Sequence, residues 1–430
     1  MTVREAQGEL SEPCVVPRAI RFLSISRREA MQPRRHFARY NDDMVAMRRY
    51  RRILTPPRGS FFVYGVRGVG KSTWALETFP DAHIIDLLDE SRYQSFAANP
   101  ALLGLELRTL PANRIVVLDE VQRVPALLNE VHRAIEGTRR RFVLLGSSAR
   151  RLKTADTNLL AGRAALRTMY PLAPAELGAD FDLGRVLRFG SIPVVWQADD
   201  PRAALEAYVQ LYVREEIRIE ALVRNLPAFL RFLPVAALFH GQVINIAGLA
   251  RDAATARTTV EGYLGILQDT LVATLLPAFE AKLRVRERQH PKLYWVDPGL
   301  ARAAKQQLGP VAAEERGPLL EGLVLTILRA HNGDSELFEE ASYWAPAQAR
   351  HTEVDFLLRR GREFLAVEVK AQPRFSTPQL GGLRAIAELP RLARRVLVYL
   401  GERQLRTEDG IDVWPLDRFT AAAADGSLWP

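Results

Sequence analysis

The sequence of 430 residues predicts an α/β protein with a parallel-sheet core, a helical region and a second, smaller α/β domain. Three observations support this prediction. Short apolar runs alternate with helical stretches from about residue 48 to 175, a helix–turn–helix–hairpin pattern occupies 236–285, and paired strand signals follow a break near 309–310. We expect domains at 46–178, 179–235, 236–300 and 310–430, after a loosely ordered basic leader over 1–45.

The composition is that of a globular protein, with 48% hydrophobic and 25% charged residues. The net charge is +9, but residues 1–60 hold 13 arginines against 6 acidic residues, so the rest is nearly balanced. This distribution weakens an interpretation of the charge as a nucleic-acid surface. Only six lysines occur among 59 basic residues, and a lysine kept in such a chain indicates a need for its compact charge. The single Cys14 and the absence of an apolar leader predict a cytoplasmic protein without a membrane partner.

The first domain begins with four apolar runs at 61–64, 83–87, 115–118 and 142–145. Runs without polar alternation are typical of strands buried on both faces, as in a parallel sheet. Residues 180–235 are expected to form helices that act as a lid.

Residues 65–72, Gly-Val-Arg-Gly-Val-Gly-Lys-Ser, fit G-x-x-x-x-G-K-[ST] between a strand and a helix. This motif predicts a phosphate-binding P-loop, because its glycines let backbone N–H groups converge on phosphate oxygens at a helix N-terminus. Lys71 would reach the β and γ phosphates, Ser72 would bind Mg²⁺, and Thr73 would lie near the α phosphate. The expected nucleotide-binding residues are Gly65, Arg67, Gly68, Val69, Gly70, Lys71, Ser72 and Thr73.

The acidic pair Asp119 and Glu120 ends the third apolar run, at the strand end where ligands bind in such sheets. Asp119 is expected to hold Mg²⁺, mostly through water, and Glu120 to act as the base for the attacking water. Ser147 and Ser148 end the next strand, and one of them, with Ser148 preferred, would sense the γ phosphate, unless they only cap a helix. Arg163 would act as an arginine finger, in cis or from a neighbouring copy, or lie simply on the surface.

The segment after residue 236 has a winged-helix pattern. Asn245 would cap the first helix, and 271–276 with 292–296 would form the wing. A DNA-reading role would place Arg257, Thr258, Thr259 and Glu261 in the major groove, but this face is only weakly basic. A role as a lid or a protein contact stays open.

The last domain contains a hairpin with D…E-x-K spacing. Asp355 lies on one strand, and Glu368 and Lys370 share a face of the returning strand. Two carboxylates can bind a second divalent metal, Lys370 can position water, and Glu321 could add a ligand. The pattern predicts a nuclease-type site, whether active or a DNA-binding relic; the alternative is a charged outer face.

These residues together resemble the prokaryotic AAA-type ATP-binding proteins with a C-terminal domain of unknown function. The resemblance covers about 45–400, and its carriers are the loop at 65–72, Leu-Asp-Glu at 118–120, Leu-Gly-Ser-Ser-Ala-Arg at 145–150, Tyr-Pro-Leu at 170–172, Tyr-Trp-Val-Asp-Pro-Gly-Leu at 294–300, Glu-Val-Asp-Phe at 353–356 and Val-Glu-Val-Lys at 367–370. It implies ATP and Mg²⁺ binding, a winged helix and a C-terminal, restriction-endonuclease-like α/β region similar to PD-(D/E)xK nucleases. Ser72 replaces the family's common threonine.

The sequence and this resemblance leave two possible functions. One is an Mg²⁺-dependent ATPase that acts on DNA through its C-terminal domain. The other is a nucleotide-dependent regulatory protein whose nuclease-like fold is a scaffold for protein contacts. Candidate partners are ATP, DNA, and a second copy of the chain or another protein.

Overall fold

A five-stranded parallel sheet forms the first part of the chain. The computed structural model describes residues 48–148, 160, 162–213, 225–280, 289–347 and 352–430, so the predicted leader lies outside the described residues. The strands lie in the order β2-β3-β4-β1-β5. Their bounds are β1 Ser60–Tyr64, β2 His83–Asp86, β3 Val116–Asp119, β4 Phe142–Gly146 and β5 Ala164–Thr168. The four predicted strands are confirmed. β5 has no counterpart among the sequence predictions, because none of its residues is buried and no apolar run marks it.

Apolar clusters cover both faces of this sheet, as strands without polar alternation require. On β3, Val117 packs into one cluster, whereas Val116 and Leu118 pack into the cluster on the opposite face. The helices of this part are α1 Lys71–Thr78, α2 Glu90–Ala98, α3 Leu102–Arg108 and α4 Leu127–Thr138.

A helical region with a small antiparallel sheet follows. Its helices are α5 Pro174–Leu177, α6 Leu183–Phe189, α7 Pro193–Trp196, α8 Pro201–Ala207, α9 Leu226–Leu238, α10 Ile246–Asp252, α11 Arg257–Asp269 and α12 Pro298–Ala304. A π-helical turn, Tyr208–Val213, continues α8. The sheet has the order β6-β8-β7, with β6 Gln242–Val243, β7 Ala273–Leu276 and β8 Lys292–Trp295. Asn245 caps α10 as predicted, since its side chain accepts a hydrogen bond from the Ala247 N–H at 3.0 Å.

The C-terminal part is a mixed six-stranded sheet with the order β13-β14-β12-β11-β10-β9. Its elements are α13 Ala313–Ser335, β9 Glu340–Trp344, β10 Val354–Arg360, β11 Glu363–Lys370, α14 Gly381–Ala385, β12 Leu392–Tyr399, β13 Leu405–Arg406, β14 Asp412–Pro415 and α15 Leu416–Asp425. β10 and β11 form the predicted hairpin, with Phe356 opposite Val367 and a turn at Gly361, whose φ of +59° favours glycine. α13 has 23 residues and carries Glu321.

Residues 50–430 form one compact unit. The helical region and the C-terminal sheet share an apolar cluster that includes Leu187, Tyr294 and Phe356. The three boundaries between the four predicted domains therefore stay predictions. Among the described residues, no helix has the length and apolar character needed to cross a membrane.

Candidate functional site

The phosphate loop leaves the carboxyl end of β1 and leads into α1. Gly68 and Gly70 have φ values of +72° and +94°, which side chains other than glycine rarely adopt. A Cβ on Gly65 would lie 2.5 Å from the Met169 carbonyl oxygen, and one on Gly68 would lie 2.6 Å from a methyl carbon of Val194. The loop glycines are therefore required by backbone conformation and by close packing.

The Lys71 ammonium is buried beneath this loop. It donates hydrogen bonds to the carbonyl oxygens of Gly65, at 2.8 Å, and Val66, at 3.3 Å. Ser72 and Thr73 follow in the first turn of α1, with Ser72 exposed at the surface. The loop thus has a fixed cation at the centre of its curve and a helix N-terminus beside it, which is an arrangement suited to phosphate.

The two residues predicted to hold Mg²⁺ lie together. Asp119, at the end of β3, is buried, and burial followed by the charge of Glu120 raises its pKa to about 6. A hydrogen bond from the Ser72 hydroxyl works in the opposite direction and favours the ionised form. A buried carboxylate beside a hydroxyl offers the hard oxygen ligands that Mg²⁺ prefers, so this pair fits the ion.

Glu120 is held in a strained position next to this pair. Its φ of +56° is unusual for a residue other than glycine, and its backbone N–H donates to the Asp119 carboxylate at 3.0 Å. Its side chain accepts hydrogen bonds from the Gln122 amide and, at 3.3 Å, from the Ser147 hydroxyl. The strand order explains this cluster, since β4 lies between β1 and β3 and brings Ser147 between the loop and the acidic pair.

Of the two candidate serines, Ser147 contacts Glu120 and Gln122. The Gln122 amide bridges the Ser147 hydroxyl, at 2.8 Å, and Glu120, whereas Ser148 is fully buried. Gln122 was not predicted, because a glutamine two residues after an acidic pair has no distinctive pattern. The hydroxyl next to Glu120 belongs to Ser147, and the role expected of Ser148 stays a prediction.

Arg163 lies away from the loop within this chain. β5 begins one residue later, beside Ser60 at the amino end of β1, whereas the loop leaves β1 at its carboxyl end after Tyr64. Four residue steps separate the two edges by roughly 13 Å. The Arg163 guanidinium pairs instead with Glu136 of α4 at 2.9 Å. The structure does not bring Arg163 to the loop of its own chain, so a role as an arginine finger, in cis or on a neighbouring copy, stays a prediction.

Arg52 holds the loop from the segment that precedes β1. Its guanidinium donates to the carbonyl oxygens of Val69, at 2.6 Å, and Tyr170, and forms an ion pair with Glu176 at 2.8 Å. Sequence reasoning missed this residue, because it is one of 13 arginines in the first 60 residues and carries no motif.

The helical region also contacts the loop directly. The Tyr208 hydroxyl donates to the Arg67 carbonyl at 2.8 Å, and the Val194 N–H donates to the Gly68 carbonyl at 3.4 Å. These two hydrogen bonds connect the loop with α7 and with the π-helical turn after α8.

The C-terminal hairpin assembles the four predicted residues into one buried cluster. Glu368 pairs with Lys370, and Asp355 accepts a hydrogen bond from the Val369 N–H at 2.9 Å. Glu321 reaches the cluster from α13 and accepts a hydrogen bond from the Tyr294 hydroxyl at 3.0 Å. Burial, followed by the charge of Asp355, raises the pKa of Glu321 to about 8. The charged outer face that was the alternative is excluded, because Asp355 and Glu368 are buried.

The expected second metal is not supported by this geometry. Lys292 from β8 was not predicted to take part, yet its ammonium lies 3.0 Å from Asp355, 3.5 Å from Glu353 and 3.6 Å from Glu321. Among the described residues, no group of three or more histidine, cysteine or acidic side chains is arranged to hold a metal ion. The Lys292 ammonium therefore supplies positive charge to this carboxylate cluster.

The groove-reading face predicted on α11 is exposed and nearly neutral. Arg257, Thr258 and Glu261 are exposed. Arg257 is paired with Glu261 at 3.0 Å, so its charge is partly balanced within the helix.

Comparison with known proteins divides the chain into three matched regions. Residues 58–178 match a family described as an AAA domain, 180–310 match a domain of unknown function (DUF8612), and 316–419 match another (DUF4143). The chain is 28% identical over 388 residues to the uncharacterized proteins Mb2031c of Mycobacterium bovis and Rv2008c of Mycobacterium tuberculosis. Each match covers 87% of this chain and 82% of the relative.

Solved structures give weaker likenesses. The Aeropyrum pernix ORC2 protein, in ADPNP–ADP complexes, matches with a TM-score of 0.33 and 13% identity, over 65% of this chain and 94% of that protein. Protein VC1899 from Vibrio cholerae matches with a TM-score of 0.22 and 14% identity, over 86% and 97%. These TM-scores are too low to support any argument about function.

Proposed function

We propose that this chain, an AAA-type P-loop protein with a C-terminal domain of unknown function, binds ATP with Mg²⁺ and hydrolyses it. The observation that carries the proposal is the convergence of the phosphate loop, Asp119, Glu120 and Ser147 at the carboxyl ends of neighbouring strands of the parallel sheet. A glycine turn that only joined a strand to a helix would need neither the buried acid nor the buried lysine.

Each residue has a role that its position supports. Lys71 would exchange the loop carbonyls for the β and γ phosphates, and the loop N–H groups would bind the remaining phosphate oxygens. Ser72 and Asp119 would hold Mg²⁺, which supplies charge neutralisation when bound. Glu120 would accept the proton of the attacking water, and Ser147 would orient that water or the γ phosphate.

The test is equilibrium binding of a fluorescent ATP analogue to Lys71→Ala. Charged hydrogen bonds contribute about 1.5–3 kcal/mol each, so we expect affinity to fall by roughly one to two orders of magnitude. Arg202→Ala, which removes an exposed cation from α8, is the control and should bind as the wild type does. Unchanged affinity in a folded Lys71→Ala variant would sink the assignment.

We further propose that nucleotide state is coupled to the C-terminal domain, acting as a DNA-binding or nuclease-like module. The contacts of Tyr208 and Val194 with the loop, and the cluster shared by the helical region and the C-terminal sheet, support a mechanical path. In this proposal α10 and α11 form a winged helix, and Asp355, Glu368 and Lys370 form the nuclease-like site.

One observation favours the regulatory alternative for that site. The Lys292 ammonium pairs with Asp355, one of the carboxylates that a nuclease-type site would use to bind a metal, so the fold would act as a scaffold for protein contacts. ATP hydrolysis measured with and without single-stranded, duplex and branched DNA separates the two proposals. Stimulation by DNA supports the first. If the rate of ATP hydrolysis is the same with and without each DNA, and the wild type cleaves none of them, the second proposal is supported.

A further inference from the structure

Lys292 occupies an unusual position for a lysine. It begins β8, in the small sheet of the helical region, but its side chain enters the carboxylate cluster of the C-terminal domain and is only 2% exposed. Burial of an ammonium is costly unless partners compensate for it. Here burial, which would lower the pKa of Lys292, is outweighed by the neighbouring acidic groups, and the pKa is raised well above its usual value.

The groups around the ammonium resemble the ligands of a hard cation. Carboxylate oxygens of Asp355, Glu353 and Glu321 lie 3.0 to 3.6 Å from the Lys292 nitrogen. Asp355 lies on β10, Glu353 directly precedes β10, and Glu321 lies on α13. A lysine ammonium is a compact point charge and can take the central place among several carboxylates, which a planar guanidinium fills less well.

A second feature indicates that the cluster can bind a further cation. Glu368 is buried, and one carboxylate oxygen pairs with Lys370, but the other has no hydrogen-bond partner among the described residues. A buried carboxylate oxygen without a partner is uncommon and expected where an ion or a water belongs. Asp355 accepts a hydrogen bond at 2.9 Å from the N–H of Val369, the residue that directly follows Glu368, so the two acidic residues are neighbours in the hairpin.

Lys292 is also held in place by its own sheet and by the C-terminal sheet. Its strand pairs with β6 and β7, and the chain after β7 is bonded to β9 through the Phe279 N–H and the Tyr343 carbonyl at 2.7 Å. The Lys292 ammonium also lies 5.5 Å from the centre of the Tyr343 ring. The lysine is therefore a fixed part of this contact rather than a mobile side chain that has folded inward.

We propose that the Lys292 ammonium is a built-in replacement for a divalent cation, which excludes metal from a site formed by Glu353, Asp355 and Glu368 with Glu321 beside them. Removal of the ammonium opens this site to Mg²⁺ or Mn²⁺. The inference rests on the proposed nuclease-like character of the C-terminal domain and specifies how its metal site is regulated. In the wild type the site is closed, and the lysine joins the small sheet to the C-terminal sheet.

The experiment is Mn²⁺ binding to the full-length protein without nucleotide, followed by the electron paramagnetic resonance signal of free Mn²⁺. We compare the wild type, Lys292→Met, the double variant Lys292→Met/Asp355→Asn, and Lys305→Met. Lys305 is the matched control, because it is a shielded lysine that pairs with a single carboxylate, Glu315, outside the cluster. Thermal unfolding with and without Mn²⁺ is measured on the same samples.

We expect Lys292→Met to bind Mn²⁺ at least tenfold more tightly than the wild type, and to lose this gain in the double variant. Mn²⁺ should raise the melting temperature of Lys292→Met but leave that of the wild type and Lys305→Met unchanged. If Lys292→Met folds only when Mn²⁺ is added, the proposal is supported. If it folds under neither condition, Lys292→Gln, which keeps an N–H donor at this position, is judged by the same criteria.

Two results overturn the proposal. One is a folded Lys292 variant that gains no Mn²⁺ affinity, and the other is a wild type that already binds Mn²⁺ through Asp355 as tightly as the variant. DNA affinity of the wild type, measured by gel shift, tests the nuclease-like assignment separately. A wild type that binds DNA while Lys292→Met gains no metal rejects the inference alone.

Discussion

Removal of the Arg52 side chain tests how the phosphate loop is supported. Arg52 and Glu176 form an ion pair with side chains only 7% and 1% exposed, and the same guanidinium binds the carbonyl oxygens of Val69 and Tyr170. Arg52→Ala would leave the Glu176 carboxylate buried without its cation. It would also release Val69, which directly precedes Gly70 and Lys71.

The expected loss of stability follows from this burial. Removing one partner of a buried ion pair costs about 3–5 kcal/mol. Glu176 keeps hydrogen bonds from the backbone N–H groups of Ile53 and Ala173, both at 2.8 Å, so we expect the lower end, about 3 kcal/mol. Arg202→Ala is the matched control: its pair with Glu206 is 63% and 49% exposed, and exposed helical pairs contribute about 0.3–0.5 kcal/mol.

The assay is urea unfolding followed by circular dichroism, with binding of an ATP analogue measured below the transition. Arg52→Ala should unfold at clearly lower urea and bind the analogue more weakly, because the loop has lost its support. Adding Glu176→Gln should recover part of the stability, since a buried amide is less costly than a buried charge. Equal urea midpoints for Arg52→Ala and Arg202→Ala, with unchanged affinity, would refute the reasoning.

Two further predictions concern Glu120 and His240. Glu120→Gln keeps the shape but removes the base, so bound ATP should persist while phosphate release slows at least about tenfold; a wild-type rate would place the base elsewhere. Burial lowers the pKa of His240 to about 3 from its usual 6.5, so the unfolded chain takes up a proton before the folded protein does. The stability that the neutral ring provides is complete above pH 6.5 and falls by about 2 kcal/mol at pH 5. His240→Asn should make the free energy of unfolding depend less on pH between pH 5 and 6.5. The same pH dependence in the variant and the wild type would show that the folded His240 ring takes up a proton in this range.

The parallel core was predictable because its signals are local. The loop motif and the apolar runs of β1 to β4 each span only a few consecutive residues. Strands that are buried on both faces are apolar at successive positions, so such runs are easy to recognise in the sequence. β5 was not predicted, because an edge strand with no buried residue has no apolar pattern. The choice between Ser147 and Ser148 depended on which side chain turns towards Glu120, and adjacent residues at a strand end do not reveal that.

The carboxylate cluster was half predictable for a related reason. Asp355, Glu368 and Lys370 belong to one hairpin, so their spacing predicts a shared site. Lys292 lies 63 residues before Asp355 in the chain and reaches it from another sheet. No local pattern in the sequence reveals that contact. The hairpin alone therefore predicts a metal among carboxylates that the structure pairs with a lysine ammonium.

The scarcity of lysine in the sequence nevertheless pointed to Lys292 as a residue of interest. Four of the six lysines lie in the described residues, and none of these four is exposed: Lys71 binds loop carbonyls, and Lys292, Lys305 and Lys370 each pair with a carboxylate. A chain that otherwise uses arginine has kept lysine at these shielded positions, and a lysine ammonium is a compact point charge that can lie among several carboxylate oxygens, as Lys292 does at 3.0 to 3.6 Å. In such a sequence, each lysine outside a known motif is therefore a candidate for a buried polar site, and Lys292 is the one whose contact joins two sheets.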